Sequence, residues 1–217
     1  MSPPLKLGIL GGTFDPIHLG HLRTAEEIAQ ALELDRVYLI PSASPPHKTG
    51  TPVTPFLHRL AMARMAVEKV PLLRVHDLEG KRAGLSYSIE TLRLFREMFR
   101  PEPDIYFILG MDAFMEIHTW KDYRRLFDYA HFVIIQRGGF DVGSLESYLK
   151  SLGLKLKALP ESRGFCVQSG KSVSLRQTTR MDISSTQIRH LVGLGRSIRF
   201  LVTEPVRTYI SNKGIYR

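Results

Sequence analysis

The chain has 217 residues, 43% hydrophobic and 24% charged, with a formal net charge of +9 and a single cysteine. These proportions suit one generous domain of a soluble globular protein. No apolar run approaches the roughly 20 residues that cross a bilayer, and the start Met1-Ser2-Pro3-Pro4 lacks the basic-then-apolar pattern of a secretory signal. The lone Cys166 cannot close an intrachain disulfide, so a reducing cytoplasm is the expected compartment and no membrane partner is expected.

In chain order, residues 5–10 are a short apolar run that reads as a buried first strand, and 22–34 an amphipathic helix. Residues 37–40 read as a second strand stopped by Pro41, followed by a loop rich in Pro, Ser and His and a helix over 55–69. A third strand is expected at 72–76, a helix ended by Pro101 at 89–99, a fourth strand at 105–109 and a fifth at 131–136. After Gly139 the pattern loosens. Residues 145–152 read as a short helix, 155–180 as basic and irregular with one or two strands, and 184–194 and 204–211 as the last helices. The alternation predicts βαβ units, hence a Rossmann-like, doubly wound α/β fold with a parallel sheet between helices on both faces. One domain is expected over 1–217, its last part (about 184–217) helical and packed on the rest.

Ligands of such sheets sit beyond the carboxyl ends of the strands, and the unusual residues fall there: 11–21, 41–50, 110–112 and 137–139 each follow a strand. The most informative stretch is Gly11-Gly12-Thr13-Phe14-Asp15-Pro16-Ile17-His18-Leu19-Gly20-His21. Glycines at a strand end let the backbone approach a ligand closely. Two histidines at a helix start put imidazole donors beside free backbone N–H groups and the positive end of the macrodipole, an arrangement for phosphate. Taken alone the pair also reads as part of a metal site or as two surface histidines. No further ligand stands nearby at zinc spacing, so no protein-ligated metal is assigned. Asp15-Pro16 reads as a turn that positions His18.

A second stretch, Ile183-Ser184-Ser185-Thr186-Gln187-Ile188-Arg189, places Ser184 three residues before Gln187, a capping box. Its hydroxyls, with Arg189 one turn in, also form an anion nest. Lys48, Arg137 and Arg189 lie beside these stretches rather than in a tail or stripe, and no RRM, KH or zinc-finger pattern occurs. Small phosphorylated substrates therefore explain the charge better than nucleic acid. Neither GxGxxG nor GxxxxGK[ST] is present, against a hydride-transfer dinucleotide fold and a P-loop ATPase. Gly193-Leu194-Gly195 reads as a helix C-cap.

The first stretch resembles the HxGH signature of the nucleotidyltransferase superfamily and, in full, that of the bacterial nicotinate-nucleotide adenylyltransferases. Residues 183–189 resemble the ISSTxIR signature of the same superfamily. Pro45-Pro46-His47-Lys48 resembles the family's PPHK loop, and Gly110-Met111-Asp112 with Trp120 its GxDxxxxxxxW segment. Tyr87-Ser88-Ile89-Glu90-Thr91-Leu92 resembles its SYTxxTL helix start, with Ser88 in place of threonine. The resemblance runs from residue 5 to about 189 and is weakest over 155–180.

It implies an enzyme that joins ATP and nicotinate mononucleotide into deamido-NAD and pyrophosphate. Implied ATP contacts are Gly11, Gly12, Thr13, Phe14, His18, His21, Gly110, Asp112, Ile183, Ser184, Ser185, Thr186 and Arg189. Among these, His18, His21 and Arg189 form the implied catalytic set: His21 at the α-phosphate, with Arg189 and the hydroxyls of 184–186 on the β- and γ-phosphates. Asp112 either meets ribose hydroxyls, acts near the metal or simply caps the helix that follows it. Contacts to the mononucleotide are implied at His47, Lys48, Tyr87, Ser88, Trp120, Lys121 and Arg137. In the family the tryptophan stacks on the pyridine ring, and backbone groups near Ser88 and Lys121 receive its carboxylate.

Such a transfer needs little acid–base help, because the attacking phosphate is already anionic and pyrophosphate on Mg²⁺ leaves well. Mg²⁺ is expected to be held mainly by phosphate oxygens and water. The alternatives are transfer to nicotinamide mononucleotide or phosphopantetheine, the latter family having no match to the Trp120 segment. A rival of another class is a non-catalytic nucleotide- or nucleic-acid-binding protein. Whether the chain forms a homo-oligomer is left open.

Overall fold

The structure is a computed structural model describing residues 3–45, 52–82, 84–136, 141–159 and 164–217. Its first half alternates as expected: β1 (Lys6–Gly12), α1 (Leu19–Ala31), β2 (Arg36–Pro41), α2 (Phe56–Val67), β3 (Leu73–Val75), α3 (Ser88–Glu97) and β4 (Asp104–Gly110). Two short helices missing from the sequence reading follow, α4 (Met111–Met115) and α5 (Tyr123–Tyr129), separated by a single 3-10 turn at Ile117–Thr119. Five and seven residues are too few for a helical period to stand out. Then come β5 (His131–Ile135), α6 (Val142–Ser151), β6 (Leu156–Ala158), β7 (Gly164–Val167), β8 (Ser172–Arg176), α7 (Ser185–Gly193) and α8 (Glu204–Lys213).

The strands form one eight-stranded sheet in the order β3-β2-β1-β4-β5-β8-β7-β6. The pairings from β3 across to β8 are parallel, whereas β7 and β6 are antiparallel additions at one edge. Residues 155–180 therefore hold three strands rather than an irregular stretch with one or two. The signal was present in Ser172-Val173-Ser174-Leu175-Arg176, whose apolar residues alternate with polar ones. Gly164 allows the edge to close, because a Cβ there would come within 2.4 Å of the Val173 carbonyl oxygen.

Period-two alternation sorts the strand side chains onto two cores. On one face Leu7, Ile9, Phe107 and Phe132 pack with Leu92 and Phe95 of α3, Phe127 of α5 and Leu145 of α6. On the other, Val37, Leu39, Ile108 and Val133 pack with Ile28 of α1, Met62 of α2, Ile188 of α7 and Val206 of α8. Helices therefore cover both faces, and α7 and α8 share the second core with α1 and α2. α7 ends as expected, with Gly195 in the left-handed region at φ 65° just past its C-cap Leu194.

Candidate active site

Sequence order turns around between β1 and β4: the chain runs outward to β2 and β3 on one side, then returns to β4 on the other. At such a switch point the loops beyond the strand ends part and leave a crevice. A cavity of about 900 Å³ lies there, at the upper end of small-molecule pockets. Gly11, Gly12 and Thr13 from the end of β1 and Gly110 from the end of β4 line it. A Cβ on Gly110 would meet nothing within 4 Å, so its lack of a side chain leaves cavity space.

α1 begins at Leu19, three residues earlier than its apolar pattern suggests, with His18 as its N-cap in extended backbone. His18 and His21 both line the cavity, and their rings stack with centroids 3.6 Å apart and planes 23° from parallel. Gly20 makes room for this pair, since a Cβ there would sit 3.1 Å from His18 Nδ1. His21 Nδ1 accepts the His18 backbone N–H at 3.2 Å. In the neutral ring that leaves the proton on Nε2, a donor for an anionic oxygen. On its other side His21 meets the edge of Phe14, at 5.0 Å and 90°.

Phe14 does not line the cavity as expected. It is 2% exposed and has a left-handed φ of 48°, which turns its ring beneath Gly12 and into the core. A non-glycine residue in that region costs roughly 1–2 kcal/mol and persists only where neighbours over-determine it. The neighbours are plain. Arg59 of α2, 1% exposed, donates from Nη1 to the Thr13 carbonyl at 2.6 Å, from Nε to the Thr54 carbonyl at 2.8 Å and from Nη2 to the Ala43 carbonyl at 3.3 Å. Burial pulls its pKa down, opposed by the charge of Asp15.

Asp15, 3% exposed, accepts the Thr54 N–H on Oδ2 at 3.2 Å and the Tyr216 hydroxyl on Oδ1 at 2.7 Å. Burial, then the bond to Asp15, push the Tyr216 pKa far above its usual range. The turn expected of Asp15-Pro16 is thus tied down from behind by residues far away in sequence.

The second signature stretch also serves this turn. Ser184 caps α7, accepting the Gln187 N–H at 3.1 Å, and lines the cavity with Ile183. Ser185, Thr186 and Arg189 do not line it: Ser185 donates to the Pro16 carbonyl at 2.8 Å, and Arg189 donates to the Asp15 carbonyl at 2.8 Å and to Thr186 Oγ1 at 3.3 Å. The expected guanidinium clamp on phosphate is spent here on the loop that carries His18. The strap before α7, residues 178–182, lines the cavity instead and was not foreseen. Thr179 fixes it by donating its hydroxyl to Glu27 Oε1 of α1 at 2.5 Å and its N–H to Oε2 at 2.7 Å, and these bonds, the hydroxyl's foremost, lower the Glu27 pKa.

The far end of the cavity is aromatic and charged. Trp120, Lys121, Tyr87 and Ser88 line it. Trp120 lies edge-on to Phe107 with centroids 6.3 Å apart. Lys121 Nζ sits 4.6 Å from the Tyr87 ring centre and 2.6 Å from Glu90 Oε1. That hydrogen bond raises the Lys121 pKa and lowers that of Glu90. Ser86, also missed in the sequence, accepts the Ala43 and Ser44 N–H groups at 3.1 and 3.2 Å and so joins the loop after β2 to the start of α3.

Asp112 is an exposed residue in the first turn of α4, where a carboxylate favours the positive helix end, and it does not line the cavity. His47, Lys48 and Arg137 lie outside the described residues. Among the described residues no helix is long and apolar enough to cross a membrane.

Residues 9–191 match the family model described as cytidylyltransferase-like. A protein of Desulfatibacillum aliphaticivorans named "Probable nicotinate-nucleotide adenylyltransferase" is 43% identical, covering 98% of this chain and 100% of its own. A Geobacter sulfurreducens protein of the same name is 42% identical over 98% of each chain. The chain belongs to the nicotinate-nucleotide adenylyltransferase family. Its fold is shared with the Plasmodium falciparum nicotinic acid mononucleotide adenylyltransferase solved with NaAD, at a TM-score of 0.73 and 22% identity over 98% of this chain and 97% of that one. A Vibrio parahaemolyticus structure described as a putative nicotinate-nucleotide adenylyltransferase gives 0.63 at 19% identity, over 98% and 96% of the two chains.

Proposed function

We propose that this nucleotidyltransferase joins ATP and nicotinate mononucleotide, giving deamido-NAD and pyrophosphate in NAD biosynthesis. The observation that carries the reading is the stacked His18–His21 pair at the first turn of α1, beside the glycine end of β1 and on one cavity with Trp120 and Lys121. One end of that cavity offers donors for phosphate, and the other offers a flat π face and a cation for an acidic aromatic ring.

The mononucleotide's phosphate oxygen attacks the α-phosphorus of ATP, the new P–O bond forming as the bond to pyrophosphate breaks. No proton need be taken from the attacking oxygen, so the site works by bringing two polyanions into line. His21 Nε2–H meets the charge that grows on the α-phosphate oxygens, whereas the Leu19 N–H of the same turn is bonded to the Leu201 carbonyl at 2.9 Å. Arg189 supports this from behind, through the Asp15 carbonyl.

Among the described residues no group of three or more His, Cys, Asp or Glu could hold a metal ion. Of the cavity carboxylates, Glu79 accepts the Thr91 hydroxyl and Asp182 pairs with Arg180. Mg²⁺ would enter with ATP, held mainly by phosphate oxygens and water, and would supply charge neutralisation there. The lone Cys166 thiol, partly buried on β7, fits a reducing cytoplasm.

The test is to supply ATP with either nicotinate or nicotinamide mononucleotide and separate the dinucleotides formed. Faster formation of the deamido product is expected. Equal rates would remove the nicotinate assignment, and no product from either would remove the reaction.

A further inference from the structure

We propose that Tyr216 is a positioning residue for this transfer, setting the His21 imidazole through Asp15 and the turn at Phe14. The inference rests on the adenylyl-transfer reading and concerns a residue well outside both signature stretches, 195 positions from His21 (216 − 21). The path is short in space. The Tyr216 hydroxyl donates to Asp15 Oδ1 at 2.7 Å, while the other carboxylate oxygen accepts the Thr54 N–H at 3.2 Å. Asp15 adjoins Phe14, whose left-handed backbone is unfavourable for a side chain of that size. The Phe14 ring in turn abuts the edge of His21 at 5.0 Å.

Each bond on Asp15 and Thr13 works against relaxation of Phe14. Arg59 holds the Thr13 carbonyl, Arg189 holds the Asp15 carbonyl, and Tyr216 and Thr54 hold the Asp15 carboxylate. Of these partners only Tyr216 offers a single hydroxyl whose loss leaves the ring and the backbone in place. Losing it gives the buried carboxylate reason to turn, and Phe14 freedom to move with it. A small displacement of the imidazole is costly where alignment carries the rate. Ground-state binding of either nucleotide, spread over the whole cavity, changes less.

The test is Tyr216→Phe, with Asp15→Asn and the double variant completing a cycle. Tyr216→Phe is expected to lower kcat about 3- to 10-fold with KM for both substrates within about twofold. It should also shift the His21 ring resonances and leave those of the distant, exposed His118 in place. In the Asp15→Asn background the same change should alter kcat little, because the path is already cut. Should Tyr216→Phe not fold, Asp15→Asn alone is expected to give the same kcat loss and the same His21 shift. Unchanged kcat and His21 signals in either folded variant would overturn the proposal, as would a Tyr216→Phe effect that persists undiminished in the double variant. A wild-type protein inactive with every mononucleotide would instead defeat the parent reading, while the His21 signal still reports on the contact.

Discussion

The two ends of the cavity are built on different principles. At the His18–His21 end backbone and imidazole line the cavity, and the charges of Arg59, Asp15 and Arg189 turn backward to grip the loop, while Arg180 and Asp182 on the strap pair with each other. At the Trp120–Lys121 end the charges are at the surface and pair with one another, Lys121 with Glu90 and Arg82 with Glu90 at 3.4 Å. The first end is tied down where, on the proposed reaction, charge develops in the transition state. The second can change its charge balance without disturbing the loop. Rate should therefore depend on one end and substrate preference on the other.

The largest effect should come from the tied-down end. His21→Ala is expected to lower kcat about 10²- to 10³-fold, the loss typical of one transition-state donor, with a much smaller change in KM. Steady-state kinetics checks it, and a loss confined to KM would move His21 from the reaction to mere binding. At the other end the pattern should invert. Trp120→Ala is expected to raise KM for the mononucleotide about tenfold, the worth of a lost aromatic face, with KM for ATP nearly unchanged. Parallel titrations of both substrates would show whether the split is real.

The smallest effect concerns the Lys121–Glu90 pair and pH. Glu90 is held below its ordinary value of 4.5, so its share of stability is present above that value and is lost as pH falls through the depressed one. Lys121 is held above its ordinary 10.5, so its share is present below that value and is lost as pH rises through the raised one. Lys121 is exposed and Glu90 half-buried, so solvent screening leaves the pair a small share of stability. Melting curves of Glu90→Gln should run parallel to wild type near neutrality and converge with it in acid.

Much of this contrast was legible beforehand, and what was not has a common cause. The βαβ alternation, the crevice beyond β1 and β4 and the histidine pair follow from local period and local spacing, which a sequence carries openly. Arg59 escaped notice although it stands among Leu60, Met62 and Ala63 on a buried stretch of helix, the one sequence cue that it must find carbonyl partners. Phe14 was expected at the cavity wall because nothing in its neighbours reveals a positive φ. Arg189 was expected on phosphate because an arginine after a helix cap suits an anion, and its bond to the Asp15 carbonyl joins residues too far apart in sequence to be paired beforehand. Tyr216 could not be seen at all, its partner being 201 residues away.

The proposed transfer is a direct, in-line attack by one nucleotide on the other, with no residue of the site acting as a covalent relay. ATP made chiral with sulfur at its α-phosphorus tests it most directly, by the handedness of the phosphorothioate in the dinucleotide product. A single in-line displacement predicts inversion. Retention would mean two displacements through an adenylylated side chain, with His21 the first suspect, and would contradict it.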